Sequence, residues 1–154
     1  MNWFKPRTNP VPVTPLAPAP YHERMENSRD TLHWSVKKNS NALSAKAYSE
    51  VRELERVLKE INGFLVEHTA TAADEHMLDS IMKDYLPSAM ELFMKLPAPE
   101  RVDGGEGDQL LLKQCRTMAR DLRDRLTEMH ERAKKDLQVQ AEFIENRFSE
   151  ANLA

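Results

Sequence analysis

From Gln109 to about Glu150 the chain carries one continuous register of positions, Leu111, Cys115, Met118, Leu122, Leu126, Met129, Ala133, Leu137, Gln140, Ile144 and Phe148, all apolar but Gln140. The steps alternate between three and four, repeat every eleven residues, and meet no proline or glycine. A period near 3.67 keeps such a stripe almost straight along a helix. It predicts a helix over 108–150, a rod on the order of 60 Å long. A rod of that length exceeds the width of a compact domain of this size. Other long helices, in the same chain or another, must cover it.

A second stripe, Leu43, Ala47, Val51, Leu54, Leu58, Ile61, Leu65 and His68, predicts a helix over 43–68. Thr71-Ala-Ala-Asp74 has the form of a capping box and opens a helix over 74–96. Its apolar positions are Leu78, Ile81, Met82, Tyr85, Ala89, Leu92, Phe93 and Leu96. Pro87 falls inside this run and removes the amide that would bond to Lys83, which predicts a bend between Lys83 and Ala89. The bend is expected to seat the helix on the C-terminal rod near Leu111–Leu122. Met77, Met82, Met90 and Met94 read as core filling rather than as an adaptable surface, but Met90 and Phe93 do not share a direction on one helix, which leaves room for part of this apolar set to be exposed. Pro97 and Pro99 end the helix, and Pro99–Asp108, with three glycines, is a turn. Upstream, Met25, Leu32 and Val36 form a thinner stripe, interrupted at Ser28 and Arg29. It predicts a weaker helix within 24–38 and a break around Lys38–Asn41. The fold class is all-α: an elongated antiparallel, coiled-coil-like helical bundle with a long C-terminal helix.

Residues 1–20 hold six of the nine prolines and no acidic residue. They read as a disordered Pro-rich tail ahead of a helical domain over 21–154. Pro12, Pro15 and Pro18 give two overlapping P-x-x-P frames, read here as linker. Low glycine and few aromatics argue against sandwiches, barrels and Gly-rich nucleotide folds. The formal net charge is −3, and Asp108–Glu150 alone balances nine basic against nine acidic residues. No nucleic-acid partner is expected of such a rod. A lone Cys115 makes no intramolecular disulfide, and no stretch approaches the roughly 18 apolar residues of a membrane span. A cytoplasmic protein is expected. Trp3 and Phe4, beside Lys5 and Arg7, are adjacent aromatics suited to a groove or a lipid interface, which would make the chain membrane-peripheral.

The run Asp-Tyr-Leu-Pro-Ser-Ala-Met-Glu-Leu-Phe-Met-Lys-Leu-Pro, Asp84 to Pro97, resembles a signature of the bacterial 5-bromo-4-chloroindolyl phosphate hydrolysis family. In that family a helix carries Tyr-Leu-Pro, a small residue and then apolar residues at helical spacing. A polar loop and a long charged C-terminal helix follow. The likeness covers roughly residues 74–150, about half the chain. It implies the helical architecture, and the family's name implies phosphate-ester hydrolysis. No catalytic residue set carries over by position. Members often have membrane-spanning segments upstream, and this chain has none.

The side chains with chemistry to offer do not assemble into a motif. His22, His33, His68, His76 and His130 include no i,i+4 pair and no His-Glu-x-x-His. His68 closes an apolar stripe, where a half-buried structural histidine is expected. Cys115 sits between Leu111 and Met118 and reads as a small buried hydrophobe. Gly104-Gly105-Glu106-Gly107 precedes a helix, but Asp103, Glu106 and Asp108 would repel an anion. Asp121 and Asp124 alternate with Arg120, Arg123 and Arg125 as ion pairs on a solvated face. No catalytic residue, cofactor or metal is expected. The sequence points to a non-catalytic scaffold or adaptor that acts through a protein partner or self-association, with Trp3, Phe4, Tyr85, Leu86, Pro87 and Phe93 as partner-binding residues. Phosphate-ester hydrolysis and tail-anchored attachment to a membrane surface are the alternatives.

Overall fold

The computed structural model describes residues 17–151. Trp3, Phe4 and most of the Pro-rich segment lie outside the described residues. The chain is all-α: α1 (Tyr21–Asn39), α2 (Ala45–Leu65), α3 (Ala72–Ser80), α4 (Leu86–Met94), the short α5 (Ala98–Arg101) and α6 (Glu106–Ala151). One wide π turn, Ile81–Tyr85, joins α3 to α4 without a break. No helix among the described residues is long and apolar enough to cross a membrane.

Local sequence sets these boundaries. Pro20 precedes α1, and its carbonyl accepts from the amides of Glu23 and Arg24. The break expected near Lys38–Asn41 is a single 3-10 turn, Ser40–Ala42. Ser44 then caps α2 by accepting from the Ala47 amide at 3.0 Å. Its hydroxyl also donates to Asp108 at 2.6 Å, and the other Asp108 oxygen accepts from the Gly104 amide at 3.1 Å. One buried carboxylate therefore ties the start of α2 to the start of α6. Thr71 and Asp74 form the reciprocal capping box that their spacing predicts.

Residue pairs give the directions. Asn62 of α2 meets His22 and Arg29 of α1, while Glu55 meets His33, so α1 and α2 are antiparallel. Glu50 meets Arg116 and, further along both helices, Glu53 meets Arg123, so α2 and α6 run the same way. Asp74 meets Arg125 and Arg132 whereas Leu96 lies by Gly107, so the α3–α4 rod is antiparallel to α6. Consecutive long helices thus alternate in direction. The most extensive contact is between α2 and α6.

The core follows the stripes. Val51, Leu54, Leu58 and Ile61 of α2 close on Cys115, Leu122 and Met129 of α6, with Met25, Leu32 and Val36 of α1 completing one cluster. At the interruption of the α1 stripe, Arg29 donates to the Asn62 side chain at 2.8 Å and Asn62 donates to the His22 carbonyl at 2.9 Å. Two polar groups satisfy each other where an apolar contact is missing. Hydrogen bonds from Arg56, and then Arg123, hold the Glu53 carboxyl down to about 2.

The glycine loop is built by close approach. Gly104 has a positive φ of 77°. A Cβ on Gly105 would lie 2.6 Å from the Glu100 carbonyl oxygen and 3.0 Å from that of Pro99. Those are backbone atoms, so the α5–α6 corner would have to open. Gly105→Ala is expected to cost about 1–3 kcal/mol in urea unfolding, the range of an overpacked site. Parent-like stability would show that the corner yields freely.

Candidate functional site

The π turn decides which side chains reach the surface. An unbroken α-helix through 74–96 would keep Tyr85, Ala89 and Leu92 on the stripe begun by Leu78. Instead the Leu86 amide bonds to the Ile81 carbonyl, five residues back. The next residue, Pro87, has no N–H, so its missing bond falls where the turn is already widened. The extra residue slips the register by one. Leu86, Met90 and Phe93 are buried, while Tyr85 and Leu92 are 61% and 64% exposed. Two expectations are corrected here. The bend expected between Lys83 and Ala89 is taken up as a wide turn over Ile81–Tyr85. Met90 and Phe93, expected to diverge, both face the core, and Leu92 is the apolar residue turned outward.

The outward line of Tyr85, Ala89 and Leu92 faces Leu110, Gln114 and Met118 of α6 across an apolar groove of about 570 Å³. The helix packs on α6, with Phe93, Leu96, Leu110 and Leu111 lining a smaller cleft at the seam. Of the partner-binding residues inferred from sequence, Tyr85 lies on this groove, while Pro87 is half-buried and does not line it. Leu86 and Phe93 are core residues, turned inward by the same slip. Trp3 and Phe4 lie outside the described residues. Leu92 and Leu110, the latter 55% exposed, complete the surface that the sequence left unassigned.

A second group of exposed apolar residues lies at the end of α6. The last buried residue of α6 is Met129, and every residue from 134 to 151 is exposed although the helix continues. This projection, about 27 Å at 1.5 Å per residue, carries Leu137, Val139, Phe143, Ile144 and Phe148, four of them more than half exposed. Among the described residues, the rod expected to need a lengthwise partner has buried positions only as far as Met129, with Arg132 just beyond still held by Asp74.

Polar clusters elsewhere are structural. Asp74 is fully buried and is met by Arg125 at 3.3 Å and by Arg132. Burial pushes its carboxyl up, but the hydrogen bonds from Arg132 and the Thr71 amide outweigh it and hold the group below its ordinary value. Arg125, expected on a solvated face, is a corrected assignment. Its side chain is 27% exposed and turned to Asp74. His68 is exposed, not half-buried, yet its ring stacks on Phe64 with centroids 3.9 Å apart. Burial, and then the Glu50 charge, push the Cys115 thiol up to about 12, which leaves no thiolate nucleophile near neutral pH. Among the described residues, no three His, Cys, Asp or Glu side chains converge on a metal position. Comparison of the chain with family models, curated proteins and solved structures finds no match.

Proposed function

We propose that this chain is a non-catalytic helical scaffold or adaptor that works by protein–protein contact. The observation that supports it is the projecting end of α6, exposed throughout among the described residues and bearing large apolar side chains. Most helical stability in proteins comes from packing of an apolar face rather than from propensity. Exposed apolar side chains grouped on one element are characteristic of interaction sites. The groove at Tyr85, Leu92 and Leu110 offers a second contact surface of the same apolar chemistry, of the kind that takes one face of a partner helix.

The test is site-specific photo-crosslinking in the native cells, with the reactive group placed at Leu137 on the arm or at Leu92 in the groove. The expected result is capture of discrete protein adducts from one or both positions, and none from exposed Lys59 on α2. The hydrolytic alternative is tested in the same preparation. Purified chain is expected to cleave a chromogenic phosphate ester no faster than a mock preparation. A turnover of about 1 per second, lost on a single point substitution, would overturn the non-catalytic assignment.

A further inference from the structure

We propose that the arm of α6 pairs with the arm of a second copy of this chain, antiparallel, about a two-fold axis between Gln140 and Ala141. The inference rests on the protein-contact reading above and names the partner. At 3.6 residues per turn, Ala133, Leu137, Ala141, Ile144 and Phe148 fall on one stripe of the arm. With the axis between Gln140 and Ala141, Leu137 faces Ile144 of the second copy and Ala133 faces its Phe148. Large residues meet apolar partners throughout, and the small one accommodates the largest. Two arms joined in this way cover on the order of 1,000 Å² in total, at the low end for a specific interface.

The charges beside the stripe fit the same register. Lys134 and Glu145 lie on one flank, and Asp136 and Arg147 on the other. Antiparallel pairing sets each flank against the same flank of the second copy. Lys134 then meets the second copy's Glu145, and Asp136 meets its Arg147, four opposite-charge pairs by symmetry. The bundle selects this direction over the parallel one. Followed back through Met129, Leu126 and Leu122, the stripe is the face that α6 buries in its own bundle. A parallel partner would bring a second bundle onto the side already filled, whereas an antiparallel one brings only a helix tip. Val139 and Phe143 sit away from the stripe, four residues apart, and take no part.

Sedimentation equilibrium of the full chain tests the proposal, with circular dichroism as the control for folding. The parent is expected to dimerise in the micromolar range. Leu137→Glu/Ile144→Glu should weaken dimerisation more than a hundredfold, while Val139→Ser/Phe143→Ser stays within about threefold of the parent. Lys134→Glu alone should weaken it about tenfold by turning two attractions into repulsions. Adding Glu145→Lys to it should restore the parent affinity. Under parallel pairing that exchange would set like charges against Asp136 and Arg147, so failure of the rescue overturns the antiparallel register. A parent chain that is monomeric at several hundred micromolar overturns the pairing altogether. If that monomer is still captured by another protein through Leu137 in cells, the scaffold reading survives. If nothing is captured, both fall.

Discussion

Asp74→Asn is expected to be among the most destabilising single substitutions in the chain, by about 2–3 kcal/mol. Breaking a buried ion pair by removing one partner costs about 3–5 kcal/mol. Here the carboxylate is fully buried, but the Arg125 and Arg132 side chains are 27% and 40% exposed and can turn to water, which lowers the figure. Part of the loss comes from the capping box, because an amide at 74 is a poorer acceptor for the Thr71 amide, now 2.9 Å away. The melting temperature should fall on the order of 8 °C. The pH dependence has a definite sign. The folded-state pKa of Asp74 lies below its ordinary value of 3.8. Its stabilisation is therefore complete above that value and is lost as pH falls through the lower, folded one. The parent should lose stability on acidification in that window, and Asp74→Asn should lose less of it. Urea unfolding at pH 7 and across the acid range measures both. A substitution costing under 0.5 kcal/mol at pH 7 would mean that Arg125 and Arg132 find water without penalty.

The register slip at Ile81–Tyr85 makes an equally large and more specific prediction. Leu86 is fully buried, so Leu86→Ala should cost about 2–5 kcal/mol, as leucine truncations in packed cores do. Its neighbour Tyr85 is mostly exposed, so Tyr85→Ala should stay within about 0.5 kcal/mol of the parent. A helix without the wide turn predicts the reverse order. The two unfolding midpoints therefore read out which residue the π turn directs inward. Should Tyr85→Ala prove the costlier change, the groove at Leu92 and Leu110 would lose its basis as well.

Much of this architecture is legible from residue types alone. The stripes of α2 and α6, the Thr71–Asp74 cap and the glycine corner are local features, each set by residues a few positions apart. The structure places helices where those patterns put them, at Ala45–Leu65 and Glu106–Ala151 among others. What stayed hidden is non-local or depends on a single residue of register. Pro87 marks the place where a backbone bond is lost, but a fixed period of 3.6 contains no signal for one wide turn. Tyr85 and Leu92 therefore read as one apolar stripe, Tyr85 also as a partner-binding residue, and Leu86 as partner-binding rather than core. Asp74 and its arginines are 51 and 58 residues apart, and along the sequence Arg125 cannot be told from Arg120, which is exposed. The α6 stripe crosses Ala133 without a change of period. Its pattern gives a helix that needs cover throughout, and only the tertiary arrangement reveals that, among the described residues, Met129 is the last buried position.

The contact proposed for the exposed end of α6 is the central claim, and disulfide trapping measures it most directly. Cys115 is buried, with its thiol pushed up to about 12, so an introduced cysteine reports alone. Gln140→Cys stands beside the proposed two-fold axis, where two copies bring their sulfurs within bonding reach. Ala133→Cys lies on the same stripe, about 22 Å from its counterpart across an antiparallel pair. Under mild oxidation at concentrations where the parent dimerises, Gln140→Cys should convert to a covalent dimer and Ala133→Cys should remain reduced. Equal trapping at both positions, or trapping at neither, would contradict the account.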